Sequence, residues 1–411
     1  MVNQWFTNVF EPSTRARSGV DRAAQTQMMT DKTASNSRIA LGDPVPWFDT
    51  PLVTGGAFDL HVSAGRWVML SFLGSPGNPR AGEELAKLLE NAELFREDHL
   101  IACFVLSEPP PDVARLAAIS SNSLFFLADY DGAISRSFGA DDVLRTVILD
   151  PMLRTVADIG WDFPQGHAQT VASVLRGLPA VDDSAGVPLF APALIVPRVF
   201  SFELCDFLMQ YYQDMGSAES GFQIDVGGKT RTQVDFRLKR RSDVGVVVPE
   251  VRTLVRDHVV RRLVPEIERH FQFKATRMDR YIVACYDADV GGHFHRHRDN
   301  VNAGARHRRF ALSVNLNNDF EGGNLIFPEF GRRTYRPPVG GALVFSCGAL
   351  HQVLPVTRGR RFAFLAFLYG EDDARERKTN NARLHDGEQQ YLGDQDRLFP
   401  EQAPAPQLAP V

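Results

Sequence analysis

The chain has 411 residues, more than one ordinary hydrophobic core organises, so two domains are expected. Its 44% hydrophobic and 23% charged content is that of a folded globular chain; no apolar run reaches the roughly 18 residues of a membrane span, and the N-terminus lacks an apolar signal core followed by a cleavage site, so a cytoplasmic, membrane-free protein is expected. The net charge of −5 hides an asymmetry: residues 1–189 carry 14 Lys/Arg and 23 Asp/Glu, residues 190–370 carry 26 and 18, and the remainder 5 and 9. The basic second half is either solvated surface that segregates by chance or a domain that attracts anionic ligands.

Residues 1–38 are polar and aperiodic, the composition of a disordered tail. Residues 39–180 alternate strand-like and helix-like segments. Trp67–Phe72, Leu100–Leu106 and Leu124–Leu127 are short apolar runs, as expected of strands buried on both faces. Gly82–Phe95 carries Leu85, Leu88, Leu89 and Leu94 at helical spacing, and Asp129–Phe138 reads as a turn and then a helix. Thr146–Asp150 and Arg154–Asp158 read as a hairpin around Asp150-Pro151. Strands separated by helices predict an α/β layer fold. The four cysteines, Cys103, Cys205, Cys285 and Cys347, are scattered in or beside apolar runs, with no CxxC pair; they read as buried free thiols in a reducing compartment.

Three stretches of this half, Leu41-Gly-Asp-Pro-Val-Pro-Trp-Phe48, Asp129-Tyr-Asp-Gly-Ala-Ile-Ser-Arg-Ser-Phe138-Gly and Val147-Ile-Leu-Asp-Pro151, resemble the peroxiredoxin (AhpC/TSA) branch of the thioredoxin fold. The loop after the Trp67–Phe72 strand, where that family carries its peroxidatic cysteine, reads Leu73-Gly-Ser-Pro-Gly-Asn-Pro-Arg80 and has none. Peroxide reduction needs a thiolate nucleophile, and Cys103 lies inside an apolar run. The expectation is a non-peroxidatic thioredoxin-like module serving docking, homodimerisation or protein recognition.

Residues 181–191 are small, acidic and Pro/Gly-containing, as in a linker. Beyond it Ala193–Phe200 reads as a strand, Ser201 as the N-cap of a helix with the apolar stripe Leu204, Phe207, Leu208 and Tyr211, and Pro249–Phe271 as a second helix that Pro265 kinks. From Arg280 the pattern turns to strands. Phe310, Leu312, Val314 and Leu316 alternate with Ala311, Ser313 and Asn315, a period of two; Asn324–Phe327, Ala342–Phe345 and Phe362–Leu368 follow. Residues 372–411 read as a charged, then Gln- and Pro-rich, loosely held C-terminal tail.

The chemistry-bearing stretch is His297 to Arg361. His297 and Asp299 stand two residues apart, so on a strand both side chains share a face, and a distant histidine such as His351 completes a two-His, one-carboxylate set that suits non-haem Fe(II). Taken alone an H-x-D is weak, and a lone His351 would be an ordinary core histidine. The context is Tyr286-Asp-Ala-Asp-Val-Gly-Gly-His-Phe-His-Arg-His297, then Gly322-Gly-Asn-Leu-Ile-Phe-Pro328, Pro338-Val-Gly-Gly-Ala-Leu-Val-Phe345 and His351-Gln-Val-Leu-Pro-Val-Thr-Arg-Gly-Arg-Arg361. This order and spacing, over residues 192–371, resembles the prolyl 4-hydroxylase-like branch of the Fe(II)/2-oxoglutarate dioxygenases. The resemblance implies a double-stranded β-helix (jelly roll) with flanking helices, so the whole chain is expected to be multidomain, α/β plus α+β. It implies Fe(II) held by His297, Asp299 and His351, with 2-oxoglutarate as co-substrate and ascorbate as reductant. The carboxylate at Asp299 argues against a halogenase, whose chemistry vacates that position. His293 and His295 alternate with His297 and are taken as rim groups.

Arg358, Arg360 and Arg361 are all candidates for the co-substrate carboxylate. The resemblance selects Arg361, ten residues after the distal histidine, and implies that Tyr286 faces the same pocket; Asn315 is a further candidate. The expected reaction hydroxylates an unactivated C–H of a small molecule or of a protein or peptide, a prolyl residue included, with release of succinate and CO2. A metal-binding scaffold without turnover and a thiol peroxidase are the alternatives. The basic segment Lys229–Arg241 is either a solvated loop or a substrate-facing lid. With one aromatic, Phe236, it gives little reason to expect nucleic acid.

Overall fold

The computed structural model describes residues 39–140, 144–161, 166–385, 391, 393 and 396–399. The expected tail over 1–38 lies outside them. The chain divides into two compact units, the first running to Leu189 and including Glu329–Gly331, the second comprising Phe190–Pro328 and the chain from Arg332.

In the first unit a five-stranded sheet runs in the order Leu124–Ala128, Leu100–Leu106, Trp67–Gly74, Arg145–Leu149, Thr155–Gly160. The first three strands are parallel, and Arg145–Leu149 pairs antiparallel with both of its neighbours. Trp67–Gly74 and Leu100–Leu106 are buried almost throughout, as their unbroken apolar runs require. One face packs Met69, Phe104, Phe126 and Ile148 against Leu88, Val171 and Leu175 of the helices Pro79–Leu89 and His167–Gly177. The other carries a ring cluster in which Phe138 meets Phe48 and Phe72. The first helix begins three residues before the predicted Gly82, because Asn78 accepts the Arg80 N–H as N-cap and Pro79 suits the first turn. It ends at Leu89, and the rest of the predicted span is a 3-10 turn over Ala92–Leu94.

Cys103 is fully buried in the Leu100–Leu106 strand, and burial pushes its thiol far above the usual range. Cys205, Cys285 and Cys347 are also free and buried. No thiol here is both accessible and acidic enough to attack peroxide. Hydrogen peroxide mixed with the protein and a dithiol reductant should therefore be consumed no faster than in the reductant blank. Consumption that disappears in Cys103→Ser would overturn this.

The second unit holds two larger antiparallel sheets. One has seven strands in the order Ala193–Val196, Ala342–Ser346, Phe310–Asn315, Arg360–Tyr369, Arg277–Asp287, Ser242–Gly245, Ala218–Glu219. The other has five: Lys239–Arg240, His293–His297, His351–Val353, Leu325–Ile326, Thr334–Tyr335. On the seven-stranded sheet Leu312, Val314, Val283, Cys285, Phe362 and Phe364 join the core with the helices Phe202–Met215 and Pro249–Arg262. The alternate residues Tyr286, Ser313, Asn315 and Arg361 are thereby turned to the opposite face. Ser201 caps its helix by accepting the Leu204 N–H at 3.3 Å. The predicted kink is a full break: helix Val264–Phe271 restarts with Pro265 in its first turn, since proline cannot continue the preceding ladder.

The stretch read as a loosely held C-terminal tail is partly ordered. Glu371–Asn380 is a helix, and Tyr391, Asp396 and Leu398 are buried. Arg277 donates to Tyr391 Oη at 3.2 Å, and Asp396 accepts from Tyr369 Oη at 3.0 Å and from Arg377. The partners are more than a hundred residues away in one case, so no local pattern announces them. Among the described residues no helix is long and apolar enough to cross a membrane.

Candidate metal centre

The antiparallel register places His297 opposite His351 on neighbouring strands of the five-stranded sheet. Asp299 lies just beyond the end of its strand, and its N–H is held by the Cys347 carbonyl at 2.9 Å. The three side chains converge: each offers a ligand atom, and these atoms lie within 4.8 Å of one another. Nε2 of His297 is 3.5 Å from one Asp299 carboxylate oxygen, and Nε2 of His351 is 3.4 Å from the other.

The histidines are oriented from behind. Nδ1–H of His297 donates to the His295 carbonyl at 2.7 Å, and Nδ1–H of His351 donates to the Ala349 carbonyl at 3.1 Å. Each ring therefore keeps its Nε2 lone pair for the common centre, the arrangement expected of metal-binding imidazoles. Burial, with His297 alongside, lowers His351 to about 4, so it is neutral at neutral pH. Burial disfavours the Asp299 carboxylate, yet His351 and His297 hold it well below the usual carboxylate range. Two imidazole nitrogens and one carboxylate on one side fit a divalent iron with its remaining positions open. Phe294 stacks on His297 at 3.5 Å between centroids, and Phe345 meets His351 at 4.7 Å, so the ligands have apolar backing.

The predicted strict alternation of His293, His295 and His297 is interrupted by a bulge between Phe294 and His297. His293 is taken up by the carbonyls of Gly291 at 2.7 Å and Arg237 at 3.1 Å. The role of His295 here is its carbonyl, which orients His297.

The structure also brings together Arg361, Tyr286 and Asn315. Tyr286 and Arg361 are cross-strand partners, with the guanidinium 5.3 Å from the ring centroid. Arg361 donates to Asn315 Oδ1 at 3.1 Å and to Ser313 Oγ at 3.2 Å. It is buried, has no carboxylate partner among the described residues, and is lowered to about 10 by burial, so it stays charged. Its neighbours are spent elsewhere: Arg360 pairs with Asp287 at 2.8 Å and Arg358 with Glu321 at 2.6 Å, both at the surface.

Sequence reasoning did not assign Ser313, Lys239 or Arg241. Ser313 was legible from its period-two position beside Asn315. The basic segment splits: Arg237 is exposed, whereas Lys239 and Arg241 are turned inward, and Arg241 donates to Tyr286 Oη at 3.4 Å. As for the lid reading, the hairpin Phe222–Gln233 is tied down: Asp225 accepts the Ala303 N–H and Thr230 Oγ1 accepts the Gly304 N–H, each at 2.9 Å.

Residues 281–369 match the family model described as the 2OG-Fe(II) oxygenase superfamily, so the chain carries a domain of that superfamily. A PKHD-type hydroxylase of Synechococcus sp. (strain JA-2-3B'a(2-13)) is 28% identical over 113 residues, 25% of this chain and 50% of the relative. The chain thus spans about half the length of that curated relative. Among solved structures, a prolyl hydroxylase of Trichoplax adhaerens, in complex with a hypoxia inducible factor peptide fragment, is 19% identical, covers 45% of this chain and 86% of its own, and has a TM-score of 0.36. Peroxidoxin BcpB of Mycobacterium tuberculosis is 22% identical, with 34% and 99% covered and a TM-score of 0.30.

Proposed function

We propose that the protein is an Fe(II)- and 2-oxoglutarate-dependent dioxygenase whose five- and seven-stranded sheets are the two walls of a jelly roll. The observation that carries this reading is the convergence of His297, Asp299 and His351, with both Nε2 atoms aimed at the Asp299 carboxylate. In the balanced reaction R–H, 2-oxoglutarate and O2 become R–OH, succinate and CO2. Bound iron would supply the site at which 2-oxoglutarate and O2 meet.

The chain's own residues do the rest. The Nδ1–carbonyl bonds fix both imidazoles in the tautomer a metal needs. Arg361, steadied by Ser313 and Asn315, offers a fork-shaped cation to the far carboxylate of the co-substrate. Tyr286 backs that cation, and Phe294 and Phe345 keep water from the ligands. The substrate is read as a prolyl or other residue of a peptide, with ascorbate restoring oxidised iron. The buried free thiols fit a reducing, cytoplasmic compartment, and the thioredoxin-like unit is read as a docking or homodimerisation module.

The test is incubation of the full chain with Fe(II), ascorbate, 2-oxoglutarate and O2, with and without cell-extract proteins. Succinate should form in an iron-dependent manner, and mass spectrometry should find a product heavier by one oxygen atom. No iron-dependent succinate under either condition would leave the metal-binding scaffold as the better reading.

A further inference from the structure

Of the three converging ligands, Asp299 is the one that no strand holds. His297 and His351 are cross-strand partners, whereas Asp299 follows the end of the His293–His297 strand. Its backbone is gripped from both sides instead. The Asp299 N–H donates to the Cys347 carbonyl at 2.9 Å, and the Asp299 carbonyl accepts Nη1–H of Arg308 at 3.3 Å. Both grips lead to one place. Cys347 is itself fixed by donating its N–H to the Arg309 carbonyl at 2.9 Å. Arg308 and Arg309, at the head of the Phe310–Asn315 strand, therefore reach Asp299 by two routes.

Arg308 does more than fill space. It is 7% exposed, its guanidinium lies 4.1 Å over the Phe367 ring, and its Nε is buried with no hydrogen-bond partner among the described residues. A buried cation with an unsatisfied N–H is costly, and an apolar side chain of similar length would avoid that cost. What such a side chain could not supply is the hydrogen bond to Asp299. The helix Glu371–Asn380, which lies beyond the superfamily domain, fixes the residues on either side of Arg308. Arg309 donates Nε–H to the buried Asp373 at 2.6 Å, and the other Asp373 oxygen accepts the Gly370 N–H at 2.9 Å. Arg377 pairs with Asp279 at 3.1 Å, and the same Asp279 oxygen is 3.4 Å from Nε2 of the buried His307.

We propose that Arg308 is a positioning residue for Asp299, and that the C-terminal helix sets the carboxylate of the metal centre by pinning His307 and Arg309 around it. This rests on the reading of His297, Asp299 and His351 as metal ligands. A ligand must be held to within about 0.5 Å of its productive place. For Asp299 that precision comes from the two hydrogen bonds to its backbone, since it has no ladder of its own. Loss of a partner that orients a ligand typically costs about 10–100-fold in metal affinity.

The test has two arms, both on the full chain. In the first, Mn(II) is titrated and the free ion is read by electron paramagnetic resonance. The parent should bind it and His351→Ala should not, which ties binding to the centre. Arg308→Met, without the guanidinium, should weaken Mn(II) binding by about tenfold or more, and Arg308→Lys, which keeps a donor, by about threefold or less. Asp373→Asn should weaken it by about threefold, and by less when added to Arg308→Met. In the second arm, amide hydrogen exchange is followed in the metal-free protein. Peptides covering 297–302 should exchange about tenfold faster in Arg308→Met, while the helix Phe202–Met215 keeps its parent rate and so reports an intact fold. Parent-like exchange over 297–302, or a Mn(II) affinity within about twofold of the parent, in Arg308→Met overturns the positioning role. Full additivity of Asp373→Asn with Arg308→Met overturns the part given to the helix. No Mn(II) binding by the parent, or binding that survives in His351→Ala, would sink the metal-centre reading instead, and faster exchange in Arg308→Met would still leave the grip on Asp299 standing.

Discussion

His297→Ala, Asp299→Ala and His351→Ala should each lose iron-dependent succinate formation to below detection, with bound iron falling in parallel. Two remaining ligands rarely fix Fe(II) in one geometry, and here each ligand also positions the others. Removing Asp299 takes away the carboxylate that both Nε2 atoms face at 3.5 and 3.4 Å. Removing His351 takes away the cross-strand partner of His297. The controls are internal to the strand. His293→Ala and His295→Ala should retain most activity, because His293 is occupied by two carbonyls and the contribution of His295 is a backbone oxygen that alanine also provides. Iron content by absorption spectrometry and succinate by chromatography decide it. Full activity in His297→Ala with loss in His295→Ala would mean that the ligand register is wrong.

The features legible in the sequence are those with a local cause. Leu100–Leu106 is a strand with the predicted ends because seven apolar residues in a row have no polar face to expose. Asn315 and Arg361 could be set on one sheet face because their apolar neighbours Val314 and Phe362 alternate onto the other, which joins the core. The convergence of His297, Asp299 and His351 was readable because two of them share a short strand-like spacing and the third stands in a motif. What stayed hidden depends on breaks in periodicity or on distant partners. The bulges at 279–282 and 294–297 add a residue that no pattern of two anticipates. Lys239 and Arg241 looked like part of a solvated basic run, since a strand of two residues, Lys239–Arg240, is too short to show a period. Their direction is set by Ser220, Asp243 and Tyr286, which come from three other segments.

Arg361→Ala should raise the apparent KM for 2-oxoglutarate by roughly 30-fold or more. A 2-oxo acid with a second carboxylate needs a cation at the far end of its pocket, and Arg361 is a buried guanidinium with neutral hydrogen-bond partners, Ser313 and Asn315, and no acid of its own among the described residues. Removing one partner of such a charge-assisted pair costs about 2–5 kcal/mol, because the other charge is left unpaired. At ~1.4 kcal/mol per decade the lower end of that range already exceeds tenfold. Arg361→Lys keeps the charge and loses the two-pronged geometry, so it should fall between the parent and the alanine variant. Iron content should be nearly unchanged, since Arg361 is not among the three converging ligands. Arg360→Ala removes only a surface pair with Asp287, worth at most about 1 kcal/mol to stability, and should leave the KM within about twofold. Titrating 2-oxoglutarate against the three variants, with iron measured in each sample, separates an anchor defect from a metal defect. A KM defect in Arg360→Ala that is absent from Arg361→Ala would place the co-substrate on the other face of the Arg360–Tyr369 strand.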